Sequence, residues 1–193
     1  MKTDIILAGV GGQGVLSLAS IIGLAALEEG LHLKQSETHG MSQRGGAVVS
    51  HVRLSDRAVF ADLIHHGQAD LILAVEPMEA LRQLPFLMKD GYLITNTDPF
   101  TNLPNYPDME KIEQALNQLP KVLTIDATDL ARDLGHAKSS NIVMLGALSA
   151  FVHISIQAFE KGIEAVFAGK GEDVVEINRQ AFHLGRKVAL TTV

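Results

Sequence analysis

The segment Gly9-Val10-Gly11-Gly12-Gln13-Gly14 limits most strongly what this chain can fold into. It follows the apolar run Ile5-Ile6-Leu7-Ala8 and precedes Val15 to Leu27, where only Ser17, Ser20 and Gly23 relieve an otherwise apolar sequence. A short apolar run ended by glycines is the pattern of a central parallel strand, buried on both faces. A helix that is apolar nearly all round must itself be buried, here against the sheet. Gly30 closes that helix, and Leu31 to Gln35 supplies the next strand. The chain therefore opens as a βαβ unit of an α/β protein.

The glycine segment fits G-x-G-x-x-G between a strand and a helix. A tight turn, bare backbone and a helix N-terminus together suit an anion such as a pyrophosphate. Gly9, Gly11, Gly12, Gln13 and Gly14 are thus the candidate cofactor-binding residues. A dinucleotide site also needs an acid about 20 residues further on to hold a ribose. Lys34, Gln35 and Ser36 occupy that region, and Glu37 comes late. Two readings stay open: a nucleotide cradle, or a turn whose glycines only let strand and helix pack closely. A phosphate loop with G-K-[ST] is absent, which removes the P-loop NTPases.

Beyond the opening the rhythm changes. Ala47 to Leu54 alternates, with Val48, Ser50, Val52 and Leu54 on one face. Ser55-Asp56-Arg57 reads as a turn, and Ala58 to Ala61 as a returning hairpin strand. Leu71 to Val75 is a further strand, and Pro77 takes the first position of a helix through Leu84. Tyr92 to Thr95 is a strand ending at Asn96. The prolines at 99, 104 and 107 mark a loop. A helix over Met109 to Leu119 precedes the strand Val122 to Ile125, and Asp126 caps the next helix, with Asp129 in its first turn. Helices over Asn141 to His153, Ile156 to Phe167 and Val174 to Val188 complete the chain. The expectation is a Rossmann-like three-layer α/β fold with a mostly parallel sheet interrupted by a β-hairpin, one domain over residues 1–193.

Composition narrows the function. The chain has 193 residues, 47% of them hydrophobic, with net charge −6. No Lys/Arg block occurs, which argues against nucleic acid as a partner. Cysteine is absent, so thiolate ligation of an iron–sulfur cluster, a disulfide and a thiol nucleophile are all excluded for these residues. Glycines break the uncharged stretch Ile5 to Leu27 well short of the ~20 apolar residues a bilayer needs. No membrane span and a cytoplasmic setting are therefore expected.

Glu37-Thr38-His39-Gly40-Met41-Ser42-Gln43-Arg44-Gly45-Gly46 packs polar side chains among three glycines. It is expected as a loop leaving the second strand on the carboxyl-end rim, where open α/β sheets place their sites. The histidines show no metal spacing: H-E-x-x-H is absent, and the adjacent His65 and His66 would point apart. Glu28 and Glu29, at a helix end, read as solvated.

These residues resemble a known family. The glycine segment is similar to the opening of the gamma subunits or domains of pyruvate, ketoisovalerate and related 2-oxoacid:ferredoxin oxidoreductases. Ser36 to Gly46, continuing through Ser50-His51-Val52-Arg53, resembles the small subunit of the indolepyruvate type. The likeness extends through Ala69-Asp70, Glu76-Pro77, Glu79 to Arg82, Gly91 to Asn96 and Asn141 to Ala147. It implies a subunit inactive alone, within a complex that oxidatively decarboxylates a 2-oxoacid, passes the electrons to ferredoxin and forms an acyl-CoA from coenzyme A. Thiamine diphosphate, magnesium and iron–sulfur clusters would sit on a large catalytic partner. Substrate or partner contacts would fall on Glu37, His39, Gly40, Ser42, Gln43, Arg44, Gly45, Gly46, Asn96 and Asn141, with no catalytic residue and no metal ligand on this chain. A free-standing NAD or flavin dehydrogenase, or a non-enzymatic scaffold, is the alternative.

Overall fold

The computed structural model describes residues 1–40, 45–101 and 105–192. Six strands form one sheet: β1 (Lys2–Val10), β2 (His32–His39), β3 (Ala47–Ser55), β4 (Ala69–Ala74), β5 (Leu87–Asn96) and β6 (Val122–Ile125). Their order is β2-β3-β1-β4-β5-β6, with β1, β4, β5 and β6 parallel and β3 antiparallel to both its neighbours. Seven helices are described: α1 (Val15–Glu28), α2 (Pro77–Arg82), α3 (Met109–Asn117), α4 (Ala127–Asp133), α5 (Ser140–Leu148), α6 (Ile156–Phe167) and α7 (Glu172–Thr192).

The pleat sorts the two cores. In β1, Ile5 and Leu7 join one cluster while Ile6 and Ala8 join the other. The first cluster is the larger and takes residues from α1 and from α4 to α7. The second lies under α2 and α3 and recruits Ile64 and the half-buried Phe86. This is the three-layer arrangement expected, with unequal outer layers.

The hairpin is real but its strands differ from the expectation. β3 pairs with β2 on one edge and β1 on the other, so Ala58 to Ala61 finds no free edge and forms no strand. β2 also runs on to His39, because Glu37, Thr38 and His39 pair with Ser50, Val49 and Val48. The segment expected as a rim loop from Glu37 is therefore strand for its first three residues. The opening crossover spans β3 rather than joining adjacent strands. The helix expected over Asn141 to His153 stops at Leu148. There Arg186 Nη1 donates to the Ser149 carbonyl at 2.6 Å and to its hydroxyl at 3.0 Å. Glu28 and Glu29 are tethers as well as solvated groups. Glu28 pairs with Lys161, and Glu29 accepts from the Ser155 amide at 3.1 Å.

Among the described residues no helix is long and apolar enough to cross a membrane.

Candidate functional site

The direction of the crossovers reverses between β1 and β4. α1 carries the chain toward the β2 edge, whereas α2 carries it toward β6. In open α/β sheets ligands bind at the carboxyl ends of the strands flanking such a point. Here those ends are Gly9–Gly14 at the end of β1 and Val75–Pro77 after β4, and they touch: a Cβ on Gly9 would lie 2.4 Å from Val75 Cγ2.

The glycine turn is closed from inside. The Gln13 amide donates to the Val10 carbonyl at 3.0 Å, and the Val10 amide donates to Gln13 Oε1 at 2.8 Å. Gln13 therefore spends its acceptor on the turn. Gly12 (φ 106°) and Gly14 (φ 80°) occupy left-handed backbone that favours glycine. Gly12 faces open space, but a Cβ on Gly14 would meet Asn141 Nδ2 at 2.4 Å. Asn141 donates in turn to the Gly14 carbonyl at 3.5 Å, bringing the start of α5 against the start of α1.

The hairpin loop joins the same rim. The Gly11 amide donates to the Gly46 carbonyl at 2.8 Å, and the Gly40 amide to the Ala47 carbonyl at 2.8 Å. Glu37 and His39 lie two apart on one face of edge strand β2, His39 Nε2 standing 3.6 Å from Glu37 Oε2. Gln35 Nε2 donates to Glu37 Oε1 at 2.6 Å. The structure thus brings Gly9 to Gly14, His39, Gly40, Gly45, Gly46 and Asn141 to one end of the sheet, with Glu37 next in line. Ser42, Gln43 and Arg44 lie outside the described residues. Asn96 is corrected: it is buried, its Oδ1 accepting from the Ala127 amide at 3.0 Å and its Nδ2 donating to Thr128 Oγ1 at 3.3 Å. It clasps β5 to α4, and its Nδ2 also donates to the Val75 carbonyl at 3.4 Å.

Two clefts flank the turn. One, of about 600 Å³, lies between Gly11, Leu16, His39, Gly40 and Val48. The other, of about 800 Å³, is lined by Gly12, Ser17, His136, Lys138, Asn141 and Lys170, among others. No Asp or Glu among the described residues lines either cleft. The second cleft therefore joins lysine cations to the positive end of α1, an arrangement suited to phosphate oxygens.

Along the rim, Glu76 is the opposite kind of feature. It is fully buried, caps α2 by accepting from the Glu79 amide at 2.8 Å, and takes the Phe100 amide at 3.3 Å on its other oxygen. Tyr106 also donates its hydroxyl to that oxygen. Burial, then the hydrogen bond to Glu76, pushes the Tyr106 phenol far above its ordinary range. Glu79 is 3% exposed, and its Oε2 meets no hydrogen-bond partner among the described residues. Burial raises its pKa, the Arg82 guanidinium opposes that, and Glu76 adds to it.

Sequence reasoning had not assigned a role to this acidic corner, to Lys138 or to Lys170. Pro77 marked the start of α2 in the sequence, whereas the cap supplied by Glu76 emerged only in the structure. The lysines stand 32 positions apart in the chain, and no local pattern joins them. Among the described residues no group of three His, Asp or Glu is placed to hold a metal ion.

Residues 4–188 match the family model for pyruvate ferredoxin/flavodoxin oxidoreductases. The chain is 37% identical to indolepyruvate oxidoreductase subunit IorB of Pyrococcus horikoshii, over 96% of this chain and 95% of that one. It is 27% identical to the common gamma subunit of the pyruvate/ketoisovalerate oxidoreductases of Pyrococcus abyssi, covering 90% and 92%. Among solved structures, the keto/oxoacid ferredoxin oxidoreductase gamma subunit of Geobacter sulfurreducens superposes with a TM-score of 0.72 at 30% identity, covering 98% of this chain and 99% of that one. The 2-oxoglutarate:ferredoxin oxidoreductase of Magnetococcus marinus, solved with 2-oxoglutarate, coenzyme A and succinyl-CoA bound, shares the fold at a TM-score of 0.79 and 23% identity. This chain accounts for 32% of that longer chain.

Proposed function

The chain belongs to the pyruvate ferredoxin/flavodoxin oxidoreductase family, and on that premise we propose that it is the small subunit of a 2-oxoacid:ferredoxin oxidoreductase of the indolepyruvate type. The observation that carries this is the 37% identity to a subunit of that name across 96% of this chain and 95% of the other. Its relatives are subunits of oxidoreductases, and this chain contributes to such a reaction as one component. Thiamine diphosphate, magnesium and iron–sulfur clusters belong to the large catalytic partner, and ferredoxin accepts the electrons. With no cysteine in the sequence, this chain has no thiolate for a cluster. The complex works in the cytoplasm. One sheet that carries every described helix supports treating residues 1–193 as a single domain.

The rim of the sheet is this chain's contribution to the reaction. Coenzyme A carries phosphates, and the cleft beside the glycine turn supplies two lysines, backbone amides at the start of α1 and no carboxylate among the described lining residues. Lys138 and Lys170 hold phosphate oxygens of coenzyme A, while Glu37, His39, Gly40, Gly45 and Gly46 border the partner or the 2-oxoacid. The turn's own hydrogen bonds pre-form this cradle.

The test is steady-state kinetics of the assembled complex. Lys138→Ala and Lys170→Ala each raise the KM for coenzyme A roughly tenfold, the loss expected for one charge-assisted hydrogen bond. The KM for the 2-oxoacid stays near wild type. Unchanged coenzyme A kinetics in the double variant would move the phosphates elsewhere.

A further inference from the structure

The loop from Asp56 to His66 presents the most exposed large apolar side chain among the described residues. Phe60 is 92% exposed and Leu63 54% exposed. An unrestrained loop would fold such groups onto the nearest apolar surface. Here the backbone is fixed from below by a charged network. Arg53 grips the fully buried Asp4 with two hydrogen bonds, Nε to Oδ1 at 2.9 Å and Nη2 to Oδ2 at 3.1 Å. Its remaining nitrogen, Nη1, donates to the carbonyls of Ala61 at 3.1 Å and Leu63 at 3.2 Å. The Ile64 amide donates to Nδ1 of buried His51 at 3.1 Å, and the Ile64 side chain sinks into the smaller core. At the other end the Arg57 amide donates to Ser55 Oγ at 3.0 Å.

We propose that Phe60 is a pre-set anchor that enters an apolar pocket, rimmed by carboxylates, on the large catalytic subunit. The inference rests on the small-subunit reading above and adds the surface by which the two chains meet. Aromatic anchors held rigid before contact lose little conformational entropy on binding, and they dominate interface energetics. The charge around the arm selects the occupant. Lys2 and Arg53 share the single carboxylate of Asp4, Asp62 is engaged by Lys34, and Asp56 by the Met1 amino group beside Arg57. Asp70 accepts from the Asp4 amide at 2.7 Å, so the carboxylates here are all taken, and Arg57 leaves the arm's base positive in a chain whose net charge is −6. A second copy of this chain fits poorly, because a two-fold contact through Phe60 sets Lys2 and Arg57 against their own equivalents.

The test co-expresses the chain with its tagged large subunit and measures the dissociation constant of the complex, with a thermal melt of each variant. Phe60→Ala weakens association at least tenfold with an unchanged melting temperature, Phe60→Leu weakens it less, and Arg57→Glu weakens it most at low salt. If wild type binds and Phe60→Ala binds equally well, the anchor is refuted and the small-subunit reading stands. If wild type itself does not bind, the small-subunit reading fails and the anchor with it. A lowered melting temperature for Phe60→Ala refutes the anchor by showing that the ring packs on its own chain. An isolated chain that is dimeric, and made monomeric by Phe60→Ala, refutes it by naming a second copy as the occupant.

Discussion

The two faces of the sheet are finished in different ways. On one, α1 and α4 to α7 build a continuous core around Phe159 and Phe182, both fully buried. On the other, two short helices cover a smaller cluster, and the remaining area goes to the clamped Asp56 to His66 loop. Buried charge gathers toward this thinner face: Glu76 and Glu79 at the start of α2, and Asp4 under the clamp. The contrast teaches a division of tasks. The thick face is complete within this chain and holds the larger share of its buried apolar residues. The thin face spends its buried carboxylates on a helix cap and on the loop clamp, and presents an exposed aromatic, Phe60.

The thick face is most vulnerable to substitution where it is tightest. α5 and α7 cross so closely that a Cβ on Gly146 would lie 1.9 Å from the Phe182 carbonyl oxygen, and one on Gly185 would lie 1.8 Å from that of Val143. Both obstacles are backbone, so the helices must separate. Gly146→Ala is expected to cost about 3 kcal/mol, a fall of roughly 6–12 °C in Tm for a chain of this size. Gly169→Ala, where nothing lies within 4 Å, is the control and should melt like wild type. Equal melts for the two would show that the crossing is looser than described.

A smaller effect, of opposite sign, sharpens the thin side. Burial raises the pKa of Glu79 above its ordinary value, so the folded state holds this proton to higher pH than the unfolded chain does. Stability is therefore full below the unfolded pKa near 4.5 and declines as pH rises through the raised value. Glu79→Gln removes that decline. Its melting temperature should gain on wild type as pH rises from 4 to 7, ending higher by a few degrees, or about 1 kcal/mol. Parallel melting curves for the two proteins across this range would show that Glu79 is charged and adequately partnered.

How far the sequence reached follows the same local and non-local divide. β6 falls at Val122 to Ile125 as expected, and Asp126 accepts from the Asp129 amide at 3.0 Å as its cap, because strand run and cap are written in neighbouring residues. The glycine turn and α1 were legible for that reason too. The pairing of β3 was not, since its alternation shows a half-buried strand without saying which strands flank it. β2 was shortened because an edge strand with exposed polar residues carries little apolar period beyond Leu33. At the rim, the glycine turn was legible, whereas Lys138 and Lys170, which line the cleft beside it, come from separate turns brought together by the packing of α5 and α7. Asn96 was misplaced because position at a strand end does not say whether an amide points in or out. The Asp4–Arg53 clamp joins residues directly opposite each other in β1 and β3, and it became visible only once that pairing was known.

In the function proposed above, this chain is a necessary component that does no chemistry alone. The direct measurement is 2-oxoacid- and coenzyme A-dependent reduction of ferredoxin, assayed for the purified chain, for its large subunit, and for the two mixed. The purified chain is expected to give no turnover, and mixing to restore it, with indolepyruvate as a substrate. Turnover by this chain free of its partner, or tightly held NAD(H) or flavin in the purified protein, would contradict it.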